Sequence, residues 1–548
     1  MVRPKDKKEE KEKYAQWKQN LPIMYDWIMN HPLTWPSQSC RWGPQEEDTQ
    51  KYKRKQKLYL SDRTDGTELN KLSVWTVEII KARVAAAENM RYDESLKSPL
   101  IKPEKTILHP GEVNKIREVP QHPHILVTHT DAKELYVWNV LTQPNRAFDK
   151  GESKSQLSQA DLVLRGHTED AKFAVAISSA EPLVASGGDD TQVLIWDLRD
   201  HEGGSWLTMK EAEGRPPSNE PFLNAKLRLQ GHTNVVEDLV WQPGSAAELA
   251  SVGDDYKLLF WDTRAGTVPA ASLEDAHGKK DLHCVDWSSL QLELLVTGAA
   301  DGTVRVWDRR HLSAPLFDFR PHDKPIIRVE WAPYKKGVFA SGGEDQMIAV
   351  WDLERSSESV PSAVAAAPAA EEEKAQDGKK KPTLPPQLIF QHAGHRSQVV
   401  DFQWHATDPY TMASVSDSGE GSTLQAWRIS DMIWRPIDVV LAELEQHRDF
   451  IVTGKETSTS ASRGGHTTGT AQDEGELELR EAGVQQEDTV LAEAATPGAT
   501  KEEAAEELAN AMPLDQATMN LGRPVNTEKE AEPYKAAEAD VGPVKMES

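Results

Sequence analysis

Seven times along this chain a tryptophan closes an apolar, β-rich run: Trp75, Trp138, Trp196, Trp261, Trp307, Trp351 and Trp427. The surroundings of four of them repeat almost residue for residue. His167, Ser186, Asp190 and Trp196 share their spacing with His232, Ser251, Asp255 and Trp261 and with His322, Ser341, Asp345 and Trp351, while His277, Thr297, Asp301 and Trp307 differ by one residue. Units of roughly 40 to 45 residues cannot bury an apolar face alone, so successive copies must pack on one another. Each closes in a run such as QVLIWD (192–197) or TVRVWD (303–308), whose alternation predicts a strand, and the Asp just before it suits a tight turn.

These residues resemble the WD40 signature, one four-stranded blade per repeat. The resemblance implies an all-β fold, a seven-bladed propeller, to which the flanking sequence adds an N-terminal α-helix and a disordered acidic C-terminal tail. In that family the His, Asp, Ser or Thr and Trp form a buried hydrogen-bond chain ending at the indole N–H, satisfying groups that cost roughly 1 to 3 kcal/mol each if buried unpaired. A Ser, a His and an Asp also make up a hydrolase triad. Catalysis needs one such constellation beside an oxyanion site, whereas four copies in successive units answer a packing demand, so the chain reads as no enzyme. Two repeats depart: Ala132 stands where the Trp138 unit should carry its Asp, and the Trp427 unit holds the insertion SDSGEGS (416–422). The Trp75 unit lacks a matching His, as expected if N-terminal strands complete a blade begun at the other end of the chain.

The sequence divides into a charged flexible N-terminus (1–10), a helix-bearing segment (11–42), the propeller (43–448, with polar insertions at about 200–224 and 356–386) and an acidic tail (449–548). Of the net charge of −25, the stretch from Lys455 to Ser548 supplies −12, from 20 acidic and 8 basic side chains. Its low apolar content predicts disorder, apart from a helix over 501–512 capped by Thr500 and Glu503. Such acidity opposes direct binding to nucleic acid and favours basic partners. No apolar run reaches the roughly 18 residues of a membrane span, and neither a phosphate loop nor a dinucleotide motif is present, so no membrane contact and no cofactor is expected. Cys40 and Cys284, the only cysteines, make neither a disulfide framework nor a CxxC metal site, which fits a reducing compartment.

Residues 11–30 (KEKYAQWKQNLPIMYDWIMN) place Tyr14, Trp17, Leu21, Met24, Tyr25 and Ile28 at helical spacing, kinked or restarted at Pro22. With HPLTWPSQSCRW (31–42) they resemble the histone-binding segment of the retinoblastoma-associated, chromatin-assembly p48-like WD40 proteins. KTILHPGEVN (105–114), TQPNR (142–146), DLHCVDW (281–287), QHAGHRSQVVD (391–401) and WRISDMIWRPIDVVLAEL (427–444) extend the resemblance to the plant and algal FVE branch, from about Tyr14 to Gln446.

The resemblance implies two histone sites. The first helix of histone H4 would lie in a groove between the N-terminal helix and the loop PPQLIF (385–390), outside the blades, lined by Trp17, Leu21, Ile23, Met24, Tyr25, Leu388 and Phe390. That loop departs from the family in lacking acidic residues beside its prolines, with Lys379, Lys380 and Lys381 upstream instead. Histone H3 or a similar basic peptide would meet the propeller mouth at Glu112, Asn114, Phe173, Glu237, His283 and Asp417. Arg199, Arg264 and Arg310, each two places after a blade-closing Asp, resemble the box that docks WD40 receptors on a cullin-ligase adaptor. The implied function is a non-enzymatic histone-binding scaffold in the nucleus, with the cytoplasm also open. It would serve histone deacetylase, Polycomb-type and chromatin-assembly complexes in transcriptional repression. A cullin-ligase substrate receptor and a ribosome-assembly propeller are the alternatives.

Overall fold

The computed structural model describes residues 14–46, 53–80, 92–146, 157–201, 222–355, 385–417 and 422–446. They form seven sheets, six of four strands and one of five, each built around one closing tryptophan. Pairing is antiparallel except at the fifth strand, Phe222–Asn224, which runs parallel to Leu162–Arg165. Blades 1 to 7 are numbered here in the order of their tryptophans, from Trp75 to Trp427. Strands in the middle of a blade are sandwiched between neighbouring blades, so Leu183–Gly187 and Leu294–Ala299 are buried along their whole length. Core clusters accordingly bridge adjacent blades; one joins Trp241 and Trp261 of blade 4 to Ala185 and Ile195 of blade 3.

The turn after each tetrad Asp has one construction. Thr191, Tyr256, Gly302 and Gln346, the next residues, all have positive φ, between 61° and 78°. Three of the four are not glycine. The preceding carboxylate accepts the N–H two residues on, at Gln192, Lys257, Thr303 and Met347, and holds the left-handed residue in place.

The tetrads close as expected in two blades. His232 bonds Asp255 and Ser251, and the Trp261 indole donates to Ser251 Oγ at 2.8 Å; His322, Asp345, Ser341 and Trp351 repeat this. In blade 5 the one-residue offset inserts Thr303, whose hydroxyl links His277 to Asp301. Blade 3 corrects the expectation. His129 of blade 2 shares Ser186 Oγ with His167, and the Trp196 indole turns to the Arg165 carbonyl instead. Where Ala132 replaces the Asp, His109 Nδ1 bonds the Gly111 carbonyl. Ser186, Ser251 and Ser341 have no solvent exposure, so their hydroxyls can reach no substrate.

A second lock joins the inner strands. The residue before an inner-strand tryptophan accepts both N–H groups of the next blade's tryptophan: Trp331 donates to Asp286, Trp404 to Glu330, and Trp42 to Gln403. Arg41 then forks onto Glu118 at 2.8 and 2.9 Å.

The N-terminal segment departs from the expected helix. Residues 14–19 are helical, a turn follows at Asn20, and Leu21–Met24 is one further turn. From Tyr25 the chain is a strand, Tyr25–Leu33, paired with Ser422–Ile429 so that Ile28 faces Trp427. It is the outermost strand of blade 7 and closes the ring. Main-chain pairing with an open sheet edge overrides the helical spacing of these side chains. The 1–10 terminus, the tail from 447 on with its 501–512 helix, most of both insertions (202–221 and 356–384) and residues 418–421 lie outside the described residues.

Candidate functional site

Two surfaces gather the side chains singled out in the sequence. The first is on the flank, where the N-terminal segment meets blades 6 and 7. Trp17, Leu21 and Tyr25 are each 1% exposed and Phe390 3%. They are not groove walls. Leu388–His392 is the outer strand of blade 6, paired with Ile348–Asp352, and Phe390 and Tyr25 meet edge-to-face at 5.3 Å. Trp17 donates to Tyr25 Oη, which bonds His392 Nδ1, so this cluster glues the helix to the propeller. Buried side chains cannot line a surface.

Ile23 and Met24 remain half-buried. The Met24 carbonyl accepts Ser430 N–H at 3.0 Å, which brings Asp431–Trp434 alongside. There a cavity of about 250 Å³ opens, lined by Ile389, Tyr410, Ile433, Trp434, Lys335, Asp352, Glu354 and Arg355. Tyr410, itself at positive φ, stacks on Trp434 at 4.4 Å. Asp352 pairs with Lys335 at 2.7 Å, while Glu354 is exposed at the rim. The acidic groups missing beside the prolines are thus supplied by the WDLE turn of blade 6. Sequence reading missed Ile389, Ile433 and Trp434, although WRISDMIW was among the matching stretches. Contact between a post-propeller helix and an N-terminal one is tertiary information.

The second surface is the mouth of the axial channel. Glu112 pairs with Arg63 Nε at 3.1 Å, and Arg63 Nη1 reaches Asp417 at 3.5 Å. Asn114 is 6% exposed and donates to Asp131, so it positions a carboxylate and does not offer one. Phe173 stands 41% exposed. Across the mouth, burial and then the charges of Asp254, Asp238 and Asp189 push the Glu237 carboxyl up to about 7. Asp254 is raised as well, first by burial and then by Asp281, with His283 acting in the other direction. Among the described residues no lysine or arginine pairs with Glu237 or Asp254. Asp131, Asp189, Asp254 and Asp281 were not singled out from sequence. Asp189 and Asp254 carried a signal: each precedes a tetrad Asp, at the position of Ala300 and Glu344.

Arg199, Arg264 and Arg310 each fork onto the Asp of their own WD pair, Asp197, Asp262 and Asp308, at 2.6 to 2.9 Å. Their side chains stay 46%, 68% and 63% exposed.

Residues 12–81 match the family of the histone-binding protein RBBP4, which the CAF1 complex contains as one of its components. Residues 159–197, 269–308 and 313–352 match the WD domain, G-beta repeat. The WD-40 repeat-containing protein MSI4 of Arabidopsis thaliana is 44% identical over 460 residues, covering 81% of this chain and 86% of the relative.

Proposed function

The chain belongs to the WD40 family of the histone-binding protein RBBP4 and of MSI4, and from that membership we propose that it is a non-enzymatic histone-binding scaffold of nuclear chromatin complexes. Deacetylase, Polycomb-type and nucleosome-assembly complexes are the settings this reading favours, with the chemistry left to partner subunits. The flank groove would take the first helix of histone H4, and the mouth a basic H3-like tail. The observation that carries the reading is the flank cavity. An amphipathic helix docks through a few apolar anchors, and Ile433, Trp434 and Ile389 floor a cavity of about 250 Å³ beside Met24, with Glu354 at its edge for a basic residue. Trp17, Leu21, Tyr25, Leu388 and Phe390 hold that surface in shape from behind.

Calorimetry with an H4 first-helix peptide tests this. Met24→Glu combined with Ile433→Glu should weaken binding by more than about 2 kcal/mol, with circular dichroism unchanged. Unaltered affinity in the double variant sinks the groove assignment. Nuclear pull-down with mass spectrometry separates the scaffold from a cullin-ligase receptor using Arg199, Arg264 and Arg310.

A further inference from the structure

The two sides of the mouth differ in how their carboxylates are compensated. Around Glu237 and Asp254 no cation of the described chain pairs with the acids, and like charges raise both. On the opposite side, where blades 7, 1 and 2 meet, the acids are already matched. Arg63 spans them, with Nε 3.1 Å from Glu112 and Nη1 3.5 Å from Asp417. Gln38 donates to Asp417 as well. The Arg63 main chain is anchored by its N–H bond to the Pro36 carbonyl at 2.8 Å, and Thr64 N–H bonds Asn70 Oδ1 at 2.9 Å. The guanidinium, 47% exposed, is therefore the part free to leave.

Resting on the reading of the mouth as a basic-peptide site, we propose that Arg63 is its specificity-determining residue. It is an internal stand-in for a peptide guanidinium that an incoming side chain must displace from Glu112 and Asp417. A peptide arginine replaces it like for like, because a planar fork serves two carboxylates at once. A lysine offers one compact, strongly hydrated charge, so the exchange surrenders two guanidinium contacts for a weaker set. The mouth thus selects arginine on this side, while Glu237 and Asp254 take a second cation of either kind.

The test uses the full chain and two synthetic basic peptides that differ only in carrying Arg or Lys at the docking position, titrated by fluorescence anisotropy at low salt. Wild type should prefer the arginine peptide. Arg63→Gln should bind both more tightly, the lysine peptide by about three- to fivefold and the arginine peptide by less, so that the preference narrows. The melting temperature should hold, since exposed pairs contribute little to stability. If Arg63→Gln changes neither affinity nor preference while Glu112→Gln with Asp417→Asn weakens both peptides, the mouth reading stands and the role of Arg63 falls. If the carboxylate variant binds both peptides as wild type does, the mouth reading falls and takes this proposal with it.

Discussion

Glu237 shows how one residue trades stability for binding. Burial and three neighbouring carboxylates raise its pKa to about 7, well above that of an exposed glutamate. Between the unfolded value and about 7 the folded protein holds a proton that the unfolded chain releases, so this site costs stability as pH rises through that window. A cation bound there favours the ionised form. Affinity for a basic tail peptide should therefore increase from pH 6 to pH 8, with proton release on binding. Glu237→Gln should raise the melting temperature at pH 8, remove the pH dependence and weaken the peptide. Titrations at the two pH values, with calorimetry in buffers of different ionisation enthalpy, check all three. A variant that keeps wild-type affinity and pH slope would show that the peptide does not use this carboxylate.

At the scale of elements, the inner strands are tied to one another as well as to their own blades. Glu330 is the busiest knot. Its Oε2 accepts Trp404 N–H, and Oε1 sits 3.9 Å from both Arg41 and Arg328. Burial, opposed by Arg328 and Arg41, leaves its pKa raised to about 7. Glu330→Gln keeps an acceptor of the same shape and should cost little. Glu330→Leu leaves a backbone N–H and two buried guanidinium groups without a partner, and should lower stability by about 3 to 5 kcal/mol. Urea unfolding of the two variants separates an acceptor role from mere space filling. Equal loss in both would mean that packing dominates.

For the whole molecule, the ring is closed by the strand Tyr25–Leu33 on Ser422–Ile429, tied further by Arg428 to Asp26. Removing residues 1–33 should expose an apolar sheet edge in blade 7 and produce aggregation or a sharply lowered melting temperature. Removing Lys455–Ser548 should leave the melting temperature unchanged, because every blade strand lies before that stretch. Thermal unfolding of both truncations, with light scattering, distinguishes a closing strand from a dispensable end.

Seven blades were legible in the sequence because the apolar period and the His, Asp and Trp spacing are local, and each blade needs only its neighbours. The family resemblance was also legible, through stretches such as HPGEVN and WRISDMIW that lie outside the repeat pattern. Tertiary structure alone decided the rest. Helical spacing and an edge strand compete for Tyr25 to Asn30, and the open edge of blade 7, supplied by residues four hundred positions later in the chain, settles it in favour of the strand. The groove residues divided for the same reason. Sequence shows that Trp17, Tyr25 and Phe390 are apolar, but only packing decides whether an apolar side chain faces the core or a partner. Charge behaved likewise: Glu112 and Glu237 look alike in sequence, yet one is matched by Arg63 and the other meets only acids, because pairing depends on what the fold brings within a few ångströms.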